Sequence, residues 1–193
     1  MRGLLLATGI LVLAGCGTIP PAEIPETVAA HTQVVVFDID GTLTPHNFYV
    51  FEARPGAAEA AREFVKKGYK VVYITTRIPM YQYVLANWLR ENDFPVGALH
   101  VAQTAEERSD PARFKAEILD RYRKAGWQLQ YAYGDSATDF DAYATAKIPS
   151  ARVFALKRRF SSECTGDKTK YASCLEGWIE HLPYIHQEVM PAR

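Results

Sequence analysis

Apolar positions along the chain fall into two alternating rhythms. Val34–Phe37 is a continuous apolar run with strand character, and Val71–Ile74, Ala98–Ala102, Leu129–Tyr133 and Arg152–Leu156 are four more of the kind. Between them the spacing turns helical. Ala57, Ala61, Phe64 and Val65 form one stripe, stopped by Gly68, and Tyr81, Val84, Leu85, Trp88 and Leu89 form the next. Asp110-Pro111 is an N-cap and first-turn pair opening a helix with Phe114, Ile118 and Tyr122 inward. A further helix is expected around Thr138–Ala146, and a last one within Tyr171–Gln187. Strands that are apolar throughout, alternating with helices, predict an α/β domain: a Rossmann-like parallel sheet of five strands with helices on both faces. In such sheets ligands sit beyond the carboxyl ends of the strands.

The residues at those ends carry the chemistry. Asp38 and Asp40 follow the first strand, Thr75, Thr76 and Arg77 the second, and Gly134, Asp135, Ser136 and Asp139 the fourth. Lys115 lies in the first turn of the helix after the third strand, on the same side. Two carboxylates closing a buried strand are costly unless something compensates their charge.

Taken in order, these segments resemble the four motifs of the haloacid dehalogenase superfamily. Asp38-Ile39-Asp40-Gly41-Thr42 is similar to the first, Ile74-Thr75-Thr76-Arg77 to the second, Lys115 to the third and Gly134–Asp139 to the fourth. Within the superfamily the nearest likeness is the lipin-type phosphatidate phosphatase domain, through residues 38–44, 68–77, 114–115 and 148–156. It covers roughly Val34 to Leu156 and leaves out the amino-terminal segment, the paired cysteines and the last helix. Class B and C acid phosphatases are a second likeness, although their first motif usually has Glu where this chain has Gly41.

The resemblance implies a Mg²⁺-dependent phosphomonoesterase. Asp38 is then the nucleophile that forms an aspartyl-phosphate, and Asp40 the acid and base. Thr75 holds a phosphoryl oxygen, and Lys115 neutralises the nucleophile and the phosphoryl charge. Asp38, the backbone carbonyl of Asp40 and Asp135 are the expected metal ligands, with Asp139 orienting the metal waters or Lys115. Thr76 and Arg77 are candidate substrate contacts; for Arg77 a surface salt bridge is an equal alternative. Thr42 and Ser136 are expected to shape loops. The intervals from Asp38 to Thr75 and from Thr75 to Lys115 leave no room for a large cap domain.

An open site suits a bulky or membrane-borne phosphate ester. A lipid phosphate such as phosphatidic acid is one expectation; nucleotides or sugar phosphates for a broad acid phosphatase are another. A catalytically silent envelope binding lipoprotein is the non-enzymatic rival. The flap Phe48-Tyr49-Val50-Phe51 reads either as an apolar lip facing acyl chains or membrane, or as a segment packed on its own domain. Lys157-Arg158-Arg159 follow the fifth strand and either attract anionic groups or form a solvated loop.

The first residues change the picture of where this happens. Met1-Arg2 followed by an apolar Gly3–Leu13 has the form of a signal peptide, too short to span a bilayer as a helix. It ends in Leu13-Ala14-Gly15-Cys16, which resembles a lipoprotein lipobox, so residues 1–15 are expected to be removed and Cys16 lipidated. Residues 16–32, with Pro20, Pro21 and Pro25, read as an extended tether, and the domain as residues 33–193. Such a protein is membrane-anchored and faces the periplasm or exterior; Gly17 after Cys16 leans to the outer membrane where there are two. With Cys16 lipidated in an oxidising compartment, Cys164 and Cys174 remain as a disulfide pair. The chain has 193 residues, 22 basic and 22 acidic, so no global charge points to a nucleic-acid partner and any anion must be recognised locally.

Overall fold

The computed structural model describes residues 22–27, 32–49 and 51–193. Residues 1–15, expected as a signal peptide, Cys16 and most of residues 16–32, expected as a tether, lie outside the described residues, as does Val50. Six parallel strands form one sheet: β1 (Gln33–Asp38), β2 (Lys70–Thr75), β3 (Ala98–Val101), β4 (Gln128–Gly134), β5 (Val153–Leu156) and β6 (Ser173–Leu175). Their order is β3-β2-β1-β4-β5-β6, so the direction of winding reverses between β1 and β4. That reversal opens a crevice at the carboxyl ends of β1 and β4, which is where ligands bind in doubly wound sheets.

The helices are α1 (Ala57–Lys66), α2 (Tyr81–Glu91), α3 (Ala105–Ser109), α4 (Pro111–Lys124), α5 (Ala137–Thr145) and α6 (Leu182–Gln187). Period-two alternation along β1 sorts its side chains between two cores. Val35 and Phe37 pack with α1, α2 and α6; Val34 and Val36 pack with α4 and α5. Asp38 continues the second series, which directs it toward α4 and α5. In the first core the rings of Phe37, Tyr133 and Phe154 stack at 5.3 and 5.2 Å, with Trp178 4.8 Å from Tyr133. Each such pair adds about 0.5–1.5 kcal/mol beyond burial.

One expectation is corrected: the sheet has six strands rather than five, because Ser173–Leu175 pairs with β5. The last helix, expected within Tyr171–Gln187, is α6, with Pro183 in its first turn. β6 has only three residues and a mixed burial pattern, so no periodicity announces it. It is held from outside its own sequence, by β5 and by the Cys164–Cys174 disulfide. α3 was not anticipated either, although its capping box was visible: Thr104 accepts from the Glu107 amide at 3.1 Å, and Glu107 accepts from the Thr104 amide at 3.0 Å.

Ile24 and Pro25, in the segment expected as a tether, lie on the domain. Trp127 Nε1 donates to the Pro25 carbonyl at 2.8 Å, and Ile24 packs against the second core. Trp127 precedes β4, so this contact is at the amino end of the sheet, opposite the crevice. Among the described residues, both cores with the side chains packed on them and the six strands lie within residues 24–192, so a fragment of residues 22–193 contains them.

Candidate active site

β1 ends at Asp38, and the chain turns sharply through Ile39–Thr44. The turn is closed by backbone bonds from Leu43 N (2.9 Å) and Thr44 N (3.0 Å) to Ile39 O, and by Gly41 N donating to Thr44 Oγ1 at 3.0 Å. Gly41 has φ +83°, and a Cβ there would meet Asp135 Oδ2 at 1.9 Å. Glycine is therefore required twice, for the left-handed backbone and for the approach of Asp135. Two side chains brace the turn. Trp178 Nε1 donates to Thr42 O at 3.0 Å. The buried Arg54 guanidinium donates from Nη2 to Gly41 O (2.9 Å), Pro45 O (3.3 Å) and Lys157 O (2.8 Å), joining the β1 turn to the loop after β5. Sequence reasoning missed Arg54, since nothing local marks an arginine whose partners are carbonyls of distant loops.

Asp38, Asp135 and Asp139 converge at the crevice, all buried, each offering a carboxylate oxygen within 4.8 Å of the others. Lys115 reaches in from α4 and donates at 2.5 Å to both Asp38 Oδ1 and Asp139 Oδ1. Asp139, in the first turn of α5, also accepts from the amides of Asp135 (3.1 Å) and Ser136 (3.0 Å) and from Ser136 Oγ (2.7 Å). Arg158, from the loop after β5, pairs with Asp135 Oδ2. Asp38 Oδ2 is buried without a partner.

Charge explains the protonation tendencies. Burial, with Asp139 alongside, raises Asp38 well above the ordinary carboxylate range, and Lys115 only partly opposes this. Asp135 is pushed up to about 6 by burial and Asp139, against the pull of Arg158. For Asp139, burial works against the charge, but Lys115 and Ser136 outweigh it and hold the carboxyl low. Lys115 is likewise opposed by burial yet raised by Asp139 and Asp38. The three carboxylates thus call for more positive charge than Lys115 and Arg158 bring, and the all-oxygen set with one orphaned oxygen can hold a hard divalent ion.

Asp40 is placed differently. Its carboxylate accepts from Thr75 Oγ1 at 2.9 Å and from Arg77 through Nε (3.0 Å) and Nη2 (2.5 Å). It lies outside the three-carboxylate cluster, beside Thr76 and Arg77 in a cleft of about 370 Å³ that also includes Asn47 and Tyr81. Arg77 is a buried-side ion-pair partner within the site rather than a surface one, 9% exposed and packed over the rings of Tyr81 and Phe51 at 5.4 and 5.9 Å. The sequence-marked residues Asp38, Asp40, Thr75, Thr76, Arg77, Lys115, Asp135 and Asp139 are therefore gathered at one sheet edge. Arg158 joins them from the loop that had only a general basic character in the sequence.

A six-stranded parallel sheet without a large cap, carrying this carboxylate cluster at the switch point, defines a domain of the haloacid-dehalogenase-like class. Solved structures agree on the fold. A HAD-like phosphatase from Mesorhizobium loti superposes with a TM-score of 0.59 at 15% identity, over 86% of this chain and 90% of that one. A phosphoserine phosphatase from T. onnurineus gives 0.52 at 16% identity, over 83% and 98%. Residues 35–157 match the family described as PITM 1-3, LNS2 domain, and the chain belongs to that family. Membrane-associated phosphatidylinositol transfer protein 3 of Homo sapiens is 28% identical over 157 residues, and protein retinal degeneration B of Drosophila melanogaster 29% over 153. The matches take in 78% and 76% of this chain but only 15% and 12% of those much longer proteins. The lipin-type likeness is thereby placed in an LNS2 domain.

Proposed function

We propose that the chain is a Mg²⁺-dependent phosphomonoesterase working through an aspartyl-phosphate, tethered to a membrane through lipidated Cys16 and acting on a lipid phosphate. The observation that carries this is the convergence of Asp38, Asp135 and Asp139 on Lys115, with Asp38 Oδ2 left without a partner. Asp38, Asp135 and Asp139 would hold the ion, which supplies positive charge to the phosphoryl oxygens and to the nucleophile.

The chain's own residues do the rest. Lys115 fixes the Asp38 rotamer by holding Oδ1, so that one carboxylate oxygen would serve the ion while the other attacks phosphorus. The bond to the leaving alcohol oxygen breaks as the Asp38–phosphorus bond forms, and Asp40 gives that oxygen a proton. Asp40 then takes a proton from water, which attacks phosphorus, releases inorganic phosphate and restores Asp38. Asp40 is ion-paired to Arg77 as a carboxylate, so proton donation requires Arg77 to let go and Asp40 to take up a proton from solvent first. The substrate's phosphoryl oxygens are the competing acceptors for its guanidinium.

The relatives' names, with their reference to phosphatidylinositol and membranes, support a lipid substrate, as does the capless site. The Arg77 clamp on Asp40 also favours a second reading, a lipid-phosphate binding module without turnover.

Phosphate release from an aryl phosphate by residues 22–193, with Mg²⁺, with chelator and as Asp38→Asn, separates the two. Activity that needs both metal and Asp38 is expected. It should be followed by a higher kcat/KM for phosphatidic acid in vesicles than for nucleotides. A folded domain that is stabilised by Mg²⁺ and binds phosphatidic acid without turnover would replace the enzyme reading with the binding module.

A further inference from the structure

The catalytic edge carries a rim of aromatic side chains that the chemistry above does not use. Phe48 in the β1–α1 flap is 87% exposed, and Phe160 in the loop after β5 is 85% exposed. They are parts of one continuous surface. Phe48 stacks on His46 at 5.1 Å, Tyr49 is 6.4 Å from His46 and 6.5 Å from Phe160, and Arg159 lies 4.8 Å over the Tyr49 ring. On the far side of the flap, Phe51 meets Tyr81 at 6.3 Å, and the β2–α2 loop adds exposed Ile78 and Met80. Phe160 has φ +70°, a conformation that costs an L residue about 1–2 kcal/mol, yet its ring is left in solvent. Packing within the domain therefore does not account for its placement.

Charge says what this rim meets. Lys157, Arg158 and Arg159 are consecutive; Arg158 pairs with Asp135 inside the site, while Lys157 and Arg159, 20% and 35% exposed, pair with Glu176 and Glu52, 69% and 43% exposed. Of these, the Arg159–Glu52 pair is solvated on both sides and holds loosely. Exposed rings interleaved with cations match the interfacial zone of an anionic bilayer, where rings enter the headgroup boundary and cations contact phosphates.

We infer that the rim of Phe48, Phe160, Tyr49 and Met80, with Lys157 and Arg159, is a docking surface that seats the catalytic edge on an anionic lipid bilayer. It rests on the proposed lipid substrate and adds how the domain finds it. Docking brings a membrane-borne phosphate ester to the crevice between β1 and β4 without the domain extracting it.

The test uses residues 22–193 and vesicles of phosphatidylcholine with phosphatidylglycerol, an anionic diester that is no substrate for a phosphomonoesterase, so docking is read independently of catalysis. The native tryptophans, Trp88, Trp127 and Trp178, are all buried, which leaves a tryptophan at the rim as the reporter. Phe48→Trp and Phe160→Trp should each shift to the blue on these vesicles and be quenched by brominated acyl chains. Val96→Trp, at a fully exposed position just before β3 and hence at the opposite end of the sheet, should not. Phe48→Ser with Phe160→Ser should lower vesicle partitioning roughly tenfold or more at unchanged Tm. Phosphatidylcholine alone, or high salt, should weaken binding of the parent. Equal quenching at position 96, no quenching at 48 and 160, or a lipid-free dimer that buries both rings would overturn the inference. Failure of the phosphatase assay alone leaves these readouts intact.

Discussion

Lys115→Met tests the electrostatic logic of the site most directly. The methionine keeps most of the apolar stem and removes the ammonium. The side chains of Lys115, Asp38 and Asp139 are only 5%, 5% and 0% exposed, so water cannot replace the lost charge. Breaking a buried pair by deleting one partner costs about 3–5 kcal/mol, because the other charge stays buried uncompensated. For a chain of this size each kcal/mol moves Tm by about 2–4 °C, so a fall of roughly 6–20 °C is expected. Thermal and urea unfolding with chelator, at neutral and at acid pH, measure it. The deficit should shrink as pH falls, since Asp38 is already raised by burial and, without Lys115, both carboxyls escape the penalty by taking up a proton. Asp139→Asn should recover part of the loss in the Lys115→Met background. A variant within about 0.5 kcal/mol of the parent at neutral pH would refute the reasoning, as would a deficit that acid leaves unchanged.

Three further outcomes follow from other parts of the site. Gly41→Ala should lose at least about 2 kcal/mol in urea unfolding and weaken Mg²⁺ binding by calorimetry, because its Cβ would stand 1.9 Å from Asp135 Oδ2 on a backbone at φ +83°; parent-like binding would contradict this. Asp135 has its folded pKa raised to about 6, so the native state keeps a proton that the unfolded chain releases near pH ~4. Stability with chelator should therefore fall as pH rises through that window, while the Tm gain from Mg²⁺, which competes with the proton, should grow; a gain independent of pH would count against Asp135 as a ligand. Replacing both Cys164 and Cys174 by Ser should lower stability by ~2–3 kcal/mol in the chain-entropy model and expose β6 to proteolysis before the rest of the sheet.

The sequence determined the strand–helix alternation, the parallel sheet and which charged residues stand at its edge. These follow from short-range signals: apolar runs of strand length, caps and stops, and functional residues placed directly after strands. Period two along β1 even sends Asp38 to the side of α4 and α5, from which Lys115 and Asp139 arrive. Tertiary structure decided what depends on distant partners. β6 is a strand because β5 and a disulfide hold three residues that have no pattern of their own. Arg54 matters because three carbonyls from two loops distant in sequence meet at its guanidinium. The division between Asp38 in the carboxylate cluster and Asp40 on Arg77 is likewise tertiary. The two residues are neighbours in one motif, but a turn through Gly41 and a cation supplied by β2's loop give them separate surroundings.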